Sequence, residues 1–191
     1  MDEELEFHAK LGIAIQKWIW VESELRSLYA AIMAGANLHM ISATFHEIQS
    51  VEVKLRLIDT CFALLFSKKS EEGRNWKELY DRVKKLNIKR NKIVHQPVIQ
   101  GQHEGFGLFY IAPSFLNSLA VAKGLTKHDG PVVFPDYSPS KAKLRKEHKI
   151  DFIGLSTLDT EFRTLADDLH NFCLDVSPKI TQLYKDALKK T

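Results

Sequence analysis

The sequence predicts an all-α protein: a four-to-five-helix bundle with an irregular or β-hairpin insertion between its third and fourth helices. Three observations predict it. Long segments repeat apolar residues every three or four positions, that period disappears between about residues 96 and 150, and the composition is that of an ordinary globular chain. With 191 residues, 45% hydrophobic and 27% charged, the chain can bury one sizeable core. Residues 1–191 therefore read as a single domain with 96–150 inserted in it.

The first helix carries Phe7, Leu11, Ile15, Trp18, Val21, Leu25, Leu28 and Ile32 on one stripe, and Gly35 and Asn37 stop it. A second helix is expected from about Ser42, unbroken through Phe45, Ile48, Val51, Leu55, Ile58, Phe62 and Leu65, and dissolving in the polar stretch 67–73. A third starts near Asn75, with Trp76, Leu79, Val83, Leu86 and Ile93 on its stripe. It ends at Gln96, because Pro97 disfavours α geometry in the residue before it. Beyond it come short β-prone pieces at 106–111 and 132–134. Ser156-Thr157-Leu158-Asp159 reads as a cap opening a fourth helix with Phe162, Leu165, Leu169, Phe172 and Val176 inward, and Pro178 as the start of a short terminal helix.

Composition narrows the function classes only a little. A formal charge of +3 permits nucleic-acid contact without predicting it. Cys61 and Cys173 sit in apolar helical patterns, away from any second Cys or spaced His pair, and read as buried free thiols. His8, His39, His46, His103, His128, His148 and His170 share no ligand spacing, so neither a metal nor a cofactor is expected. Gly101, Gly105 and Gly107 lack the strand-to-helix setting and the Lys of a phosphate loop. The chain opens on acidic residues rather than a basic leader and has no apolar run of about 18 residues, so a cytoplasmic protein without a membrane span is expected.

Chemistry concentrates where the third helix ends, in Arg90-Asn91-Lys92-Ile93-Val94-His95. On a helix Asn91 and His95 fall one turn apart on one face, with Arg90 roughly 100° round from Asn91. Arg90 also continues the spacing of Leu79, Val83 and Leu86, where an apolar residue belongs, and a cation there needs a partner or a ligand. Two readings stand side by side. In one, Arg90 and His95 are a helix cap and a structural ion pair, with Glu22 or Glu24 of the first helix as carboxylate partner. In the other they form a phosphate site.

This arrangement, Arg-Asn-x-x-x-His closing the third helix of a four-helix unit, resembles the HEPN superfamily (higher eukaryotes and prokaryotes nucleotide-binding domain), whose motif is an Arg followed four to six positions on by His. The resemblance implies a metal-independent endoribonuclease in which two subunits bring their motifs into one cleft, in a defence or toxin–antitoxin setting. It implies Arg90, Asn91 and His95 as the catalytic set, RNA and a second copy of the chain as partners, and an antitoxin or other regulatory protein as a further one. His95 would move a proton to or from the ribose 2′-hydroxyl or the leaving oxygen, Arg90 would stabilise charge on the phosphorane-like transition state, and Asn91 would orient either group. Glu22 and Glu24 would support them. Family members paired with nucleotidyltransferase antitoxins often carry a Tyr two residues after the His. Pro97 stands there in this chain, so regulation by that route is not implied.

Charge adds to this reading. Lys77, Arg82, Lys84, Lys85, Lys89, Arg90 and Lys92 outweigh Glu78 and Asp81 along the motif helix, and Lys141, Lys143, Arg145, Lys146 and Lys149 close the insertion. Lys85, Lys89, Lys92, Lys143, Arg145 and Lys146 are the expected contacts to an RNA backbone. Phe106, Phe109, Tyr110 and Tyr137 could stack on bases or pack on the helices. Trp20 lies off the buried stripe that holds Trp18, and the expectation drawn from it is a second contact surface, the subunit interface. Two other function classes stay open: a catalytically silent helical scaffold that binds nucleotide or a protein partner, and purely structural dimerisation in which Arg90 and His95 pair with carboxylates.

Overall fold

The fold comes from a computed structural model, which describes residues 3–33, 36–96, 98–100, 109–111 and 150–189. Among them are five α-helices: α1 (Glu3–Ile32), α2 (Leu38–Glu47), α3 (Val51–Leu65), α4 (Glu71–His95) and α5 (Phe152–Leu188). Two three-residue strands, β1 (Val98–Gln100) and β2 (Phe109–Ile111), pair antiparallel with Val98 opposite Ile111 and Gln100 opposite Phe109. No described helix is long and apolar enough to cross a membrane.

The expected second helix is two helices. Ile48 (φ −77°, ψ 106°) ends α2 in extended backbone, and Ser50 (φ −89°, ψ 123°) caps α3, its hydroxyl accepting from the Val53 N–H. Periodicity missed the break because Phe45, Ile48 and Val51 keep a three-residue step straight across it. Asn37, read as a stop for the first helix, is the N-cap of α2. Its Oδ1 accepts from the His39 N–H at 2.9 Å, which satisfies a donor the helix start leaves orphaned.

The motif helix α4 starts at Glu71 rather than near Asn75, because Ser70 caps it. The Ser70 hydroxyl oxygen accepts from the Gly73 N–H at 3.1 Å, and its carbonyl accepts from the Arg74 N–H. The last helix also differs from expectation at both landmarks. Asp151, not Ser156, caps α5, accepting from the Gly154 N–H at 2.9 Å, and the Ser156 hydroxyl instead donates back to the Phe152 carbonyl as an interior residue does. Pro178 starts no new helix: α5 runs through it to Leu188. Proline removes one N–H from the ladder. Immediately before it the Ser177 hydroxyl donates to the Cys173 carbonyl at 2.6 Å.

The chain divides into two compact units. Unit 1 comprises Met1–Gln16 and Ile88–Thr160, with Phe7, Ala14, Ile93, Ile111, Leu155 and Leu158 buried. In it the Ile111 N–H donates to the Ile150 carbonyl at 2.9 Å. Lys10 Nζ donates to Ser156 Oγ at 3.1 Å while lying 4.0 Å from the Phe152 ring centroid.

Unit 2 comprises Lys17–Asn87 and Glu161–Thr191. Its core holds Trp18 edge-on to Phe162 at 5.1 Å, and Phe62 against Trp76 and Phe172 at 5.8 and 5.7 Å. Such ring pairs add about 0.5–1.5 kcal/mol beyond their burial. Polar ties fix how the helices of this unit meet. Trp76 Nε1 donates to Asp59 Oδ1 at 3.0 Å, Arg82 pairs with Asp168 at 2.7 Å, and the Tyr184 hydroxyl donates to the Ile32 carbonyl at 2.7 Å.

Candidate functional site

The last two turns of α4 build the candidate site in unit 1. Ile93 is buried and anchors them, while Asn91 and His95 are exposed. The Gln96 N–H donates to the Lys92 carbonyl at 3.0 Å, so the helical hydrogen-bond ladder continues to the very end of the motif. That holds Asn91 and His95 at their one-turn spacing.

Arg90 is half-buried, as its place on the apolar spacing predicts, and its Nη1–H donates to Asn91 Oδ1 at 3.1 Å. The acceptor is the neutral carboxamide oxygen of the next residue, and this is not the only interaction that Arg90 makes. The His95 imidazole makes no hydrogen bond or ion pair among the described residues and stands open to solvent. At about 100° per residue Arg90 and His95 lie about 140° apart around the helix; the guanidinium is of a type that holds a phosphate oxygen, and the exposed imidazole of a type that moves a proton.

Glu22 and Glu24 have work inside unit 2. Glu22 accepts from Trp18 Nε1 at 2.9 Å and pairs through its other oxygen with Lys54 Nζ at 3.1 Å. Glu24 faces His170 Nδ1 at 3.3 Å. Lys54, buried on α3, escaped the sequence reading. The same signal that singled out Arg90 was there: Lys54 completes the inward spacing of Val51, Leu55 and Ile58.

The positive balance of α4 is smaller than its composition suggests. Lys77 pairs with Asp81 at 2.6 Å and Arg82 with Asp168 at 2.7 Å. Of the expected backbone contacts, Lys85 is exposed and Lys89 and Lys92 are half-buried. Lys143, Arg145 and Lys146 lie outside the described residues, as do Phe106, Tyr137 and the 132–134 segment. Phe109 and Tyr110 belong to β2.

Both cysteines carry raised thiol pKa values. Burial pushes Cys173 up to about 12, with the nearby Glu24 charge adding to it, and its Sγ donates to the Glu24 carbonyl. Burial also raises Cys61. Neither has the character of a nucleophilic thiolate. Among the described residues no group of three or more His, Cys, Asp or Glu side chains could hold a metal ion. No protein-family model, curated protein or solved structure matches the chain.

Proposed function

We propose that the chain is a HEPN-type, metal-independent endoribonuclease that works as a homodimer, each subunit supplying Arg90, Asn91 and His95 to one composite cleft. The observation that carries this reading is the Arg90–Asn91 contact at 3.1 Å one turn before the exposed His95. The guanidinium beside Asn91 carries a fork of donors that matches the two non-bridging oxygens of a phosphodiester.

In the reaction the ribose 2′-oxygen attacks phosphorus and the bond to the 5′-oxygen breaks, leaving a 2′,3′-cyclic phosphate and a 5′-hydroxyl. One neutral imidazole takes the 2′-hydroxyl proton, and an imidazolium from the second subunit supplies one to the departing oxygen. Arg90 stabilises the charge that grows on the equatorial oxygens. Lys85, Lys89 and Lys92 follow the backbone of a single-stranded or looped RNA. The resemblance extends the proposal to a role in defence or a toxin–antitoxin pair.

The test is cleavage of a labelled RNA in EDTA by the wild type and by His95→Ala and Arg90→Ala. Both substitutions are expected to abolish cutting while the helical circular dichroism spectrum stays unchanged. Cutting that survives either one rejects the reading.

A further inference from the structure

Helix α1 has two apolar faces. Away from its buried stripe, Leu5, Ile13, Ile19 and Trp20 are 63%, 49%, 59% and 45% exposed. At about 100° per residue they share one side of the helix with Gly12 and Gln16. From Leu5 to Trp20 that side contains no charged residue, in a chain that is 27% charged. Large exposed apolar side chains aligned on one uncharged face mark a contact surface rather than scattered solvent exposure.

Gly12 sharpens this. It lies inside a 30-residue helix, where Gly is about 1 kcal/mol worse than Ala. A Cβ at this position would meet nothing within 4 Å, so packing among the described residues does not require a glycine. A glycine facing open space on an apolar helix face lets a second backbone come close.

The charges beside the face identify the occupant. Glu6 and Lys17 border the same edge of α1, about equally far to either side of Gly12. Both are half-buried, and neither makes an ion pair among the described residues; Lys17 Nζ rests 3.6 Å from the Trp20 ring centroid. When two copies of one helix pack antiparallel about a two-fold axis, like edges meet. With the crossing at Gly12, Glu6 arrives opposite Lys17 of the partner subunit, twice by symmetry. An uncharged centre with self-complementary flanks fits a second copy of this chain.

We infer that this face of α1 is the self-association surface, α1 against α1, antiparallel, crossing at Gly12. The inference names how the second subunit of the composite cleft is engaged and in that respect rests on the proposed function, although its observations belong to α1 alone. Sedimentation equilibrium of the full chain tests it. The wild type is expected to be dimeric at ~100 µM. Gly12→Arg, which has open space to occupy in the monomer, and the charge reversal Glu6→Lys are each expected to weaken association about ten-fold or more. Combining Glu6→Lys with Lys17→Glu is expected to restore it, with helical circular dichroism unchanged throughout. A monomeric wild type, or a dimer that both single variants leave intact, overturns the inference. RNA cleavage read on the same samples separates the two proposals: a dimer broken and restored as described, yet inert toward RNA, supports this surface and rejects the nuclease.

Discussion

Lys54 Nζ lies 3.1 Å from Glu22 Oε2, and the same carboxylate accepts from Trp18 Nε1 at 2.9 Å. The lysine is only 7% exposed, and its ammonium sits 4.8 Å from the Phe45 ring centroid. A buried cation is tolerable only while its counter-charge stays in place, so the pair ties α1 to α3 within unit 2 more by the cost of breaking it than by its net attraction. Glu22→Ala is expected to cost about 2–3 kcal/mol in urea unfolding, less than the roughly 3–5 kcal/mol of a fully sealed pair because Glu22 keeps some water. The double substitution Glu22→Gln with Lys54→Met is expected to recover most of that loss. A double variant less stable than Glu22→Ala would show that the pair contributes directly.

Asn91 is a positioning residue in the proposed reaction. Asn91→Ala removes the acceptor of the Arg90 Nη1–H, and single-turnover RNA cleavage in EDTA is expected to fall about ten-fold. Arg90→Lys keeps the charge but loses the planar fork, with an expected fall of about a hundred-fold. Equal rates for Asn91→Ala and the wild type would remove the positioning role.

Two helical glycines are expected to respond in opposite ways to one methyl group. At Gly73 a Cβ would collide with the Ser67 carbonyl oxygen and come within 2.9 Å of Lys68 Cα, both backbone atoms of a capped turn. Gly73→Ala is expected to destabilise by about 1–3 kcal/mol, although Ala is the better helix former. Within one subunit Gly12→Ala meets open space, so in samples dilute enough to be monomeric the helix gains up to about 1 kcal/mol of propensity. Thermal unfolding of the two variants checks both signs.

The Cys173 thiol links stability to alkaline pH. Its pKa in the fold is pushed up to about 12 from an ordinary value of 9.0, so the unfolded chain loses this proton first as pH rises. The contribution is complete below about pH 9 and is lost as pH climbs toward 12. Lys77 and Lys179, paired with carboxylates, also have raised values, so the comparison must be with a variant lacking only the thiol. The urea midpoint of the wild type is expected to fall more steeply than that of Cys173→Ala above pH 9. Parallel slopes would show that the thiol ionises alike in both states.

How much of this was legible depends on the kind of signal. The inward faces of α1, α4 and α5 were, because burial imposes a period: Trp18, Leu25, Leu79, Val83, Phe162 and Leu169 are all buried, as their spacing predicts. Helix boundaries were less so, since a cap is a local hydrogen bond that leaves the apolar period undisturbed. Ser50 interrupts a continuous stripe, and Asp151 starts a helix before the more conspicuous Ser156. Pro178 looked like a start because its missing N–H suits one, yet the surrounding packing carries α5 through it.

By itself the sequence determined that the chain is helical, which residues face inward, and that Arg90, Asn91 and His95 share one helix end, all consequences of a 3.6-residue turn acting along the chain. Tertiary structure decided which charges are taken. It bound Arg82 to the Asp168 carboxylate, gave Glu22 to the buried Lys54, left His95 in solvent and exposed a second apolar face on α1. Those outcomes depend on which side chains distant in sequence meet in space, and spacing along one helix carries no record of that.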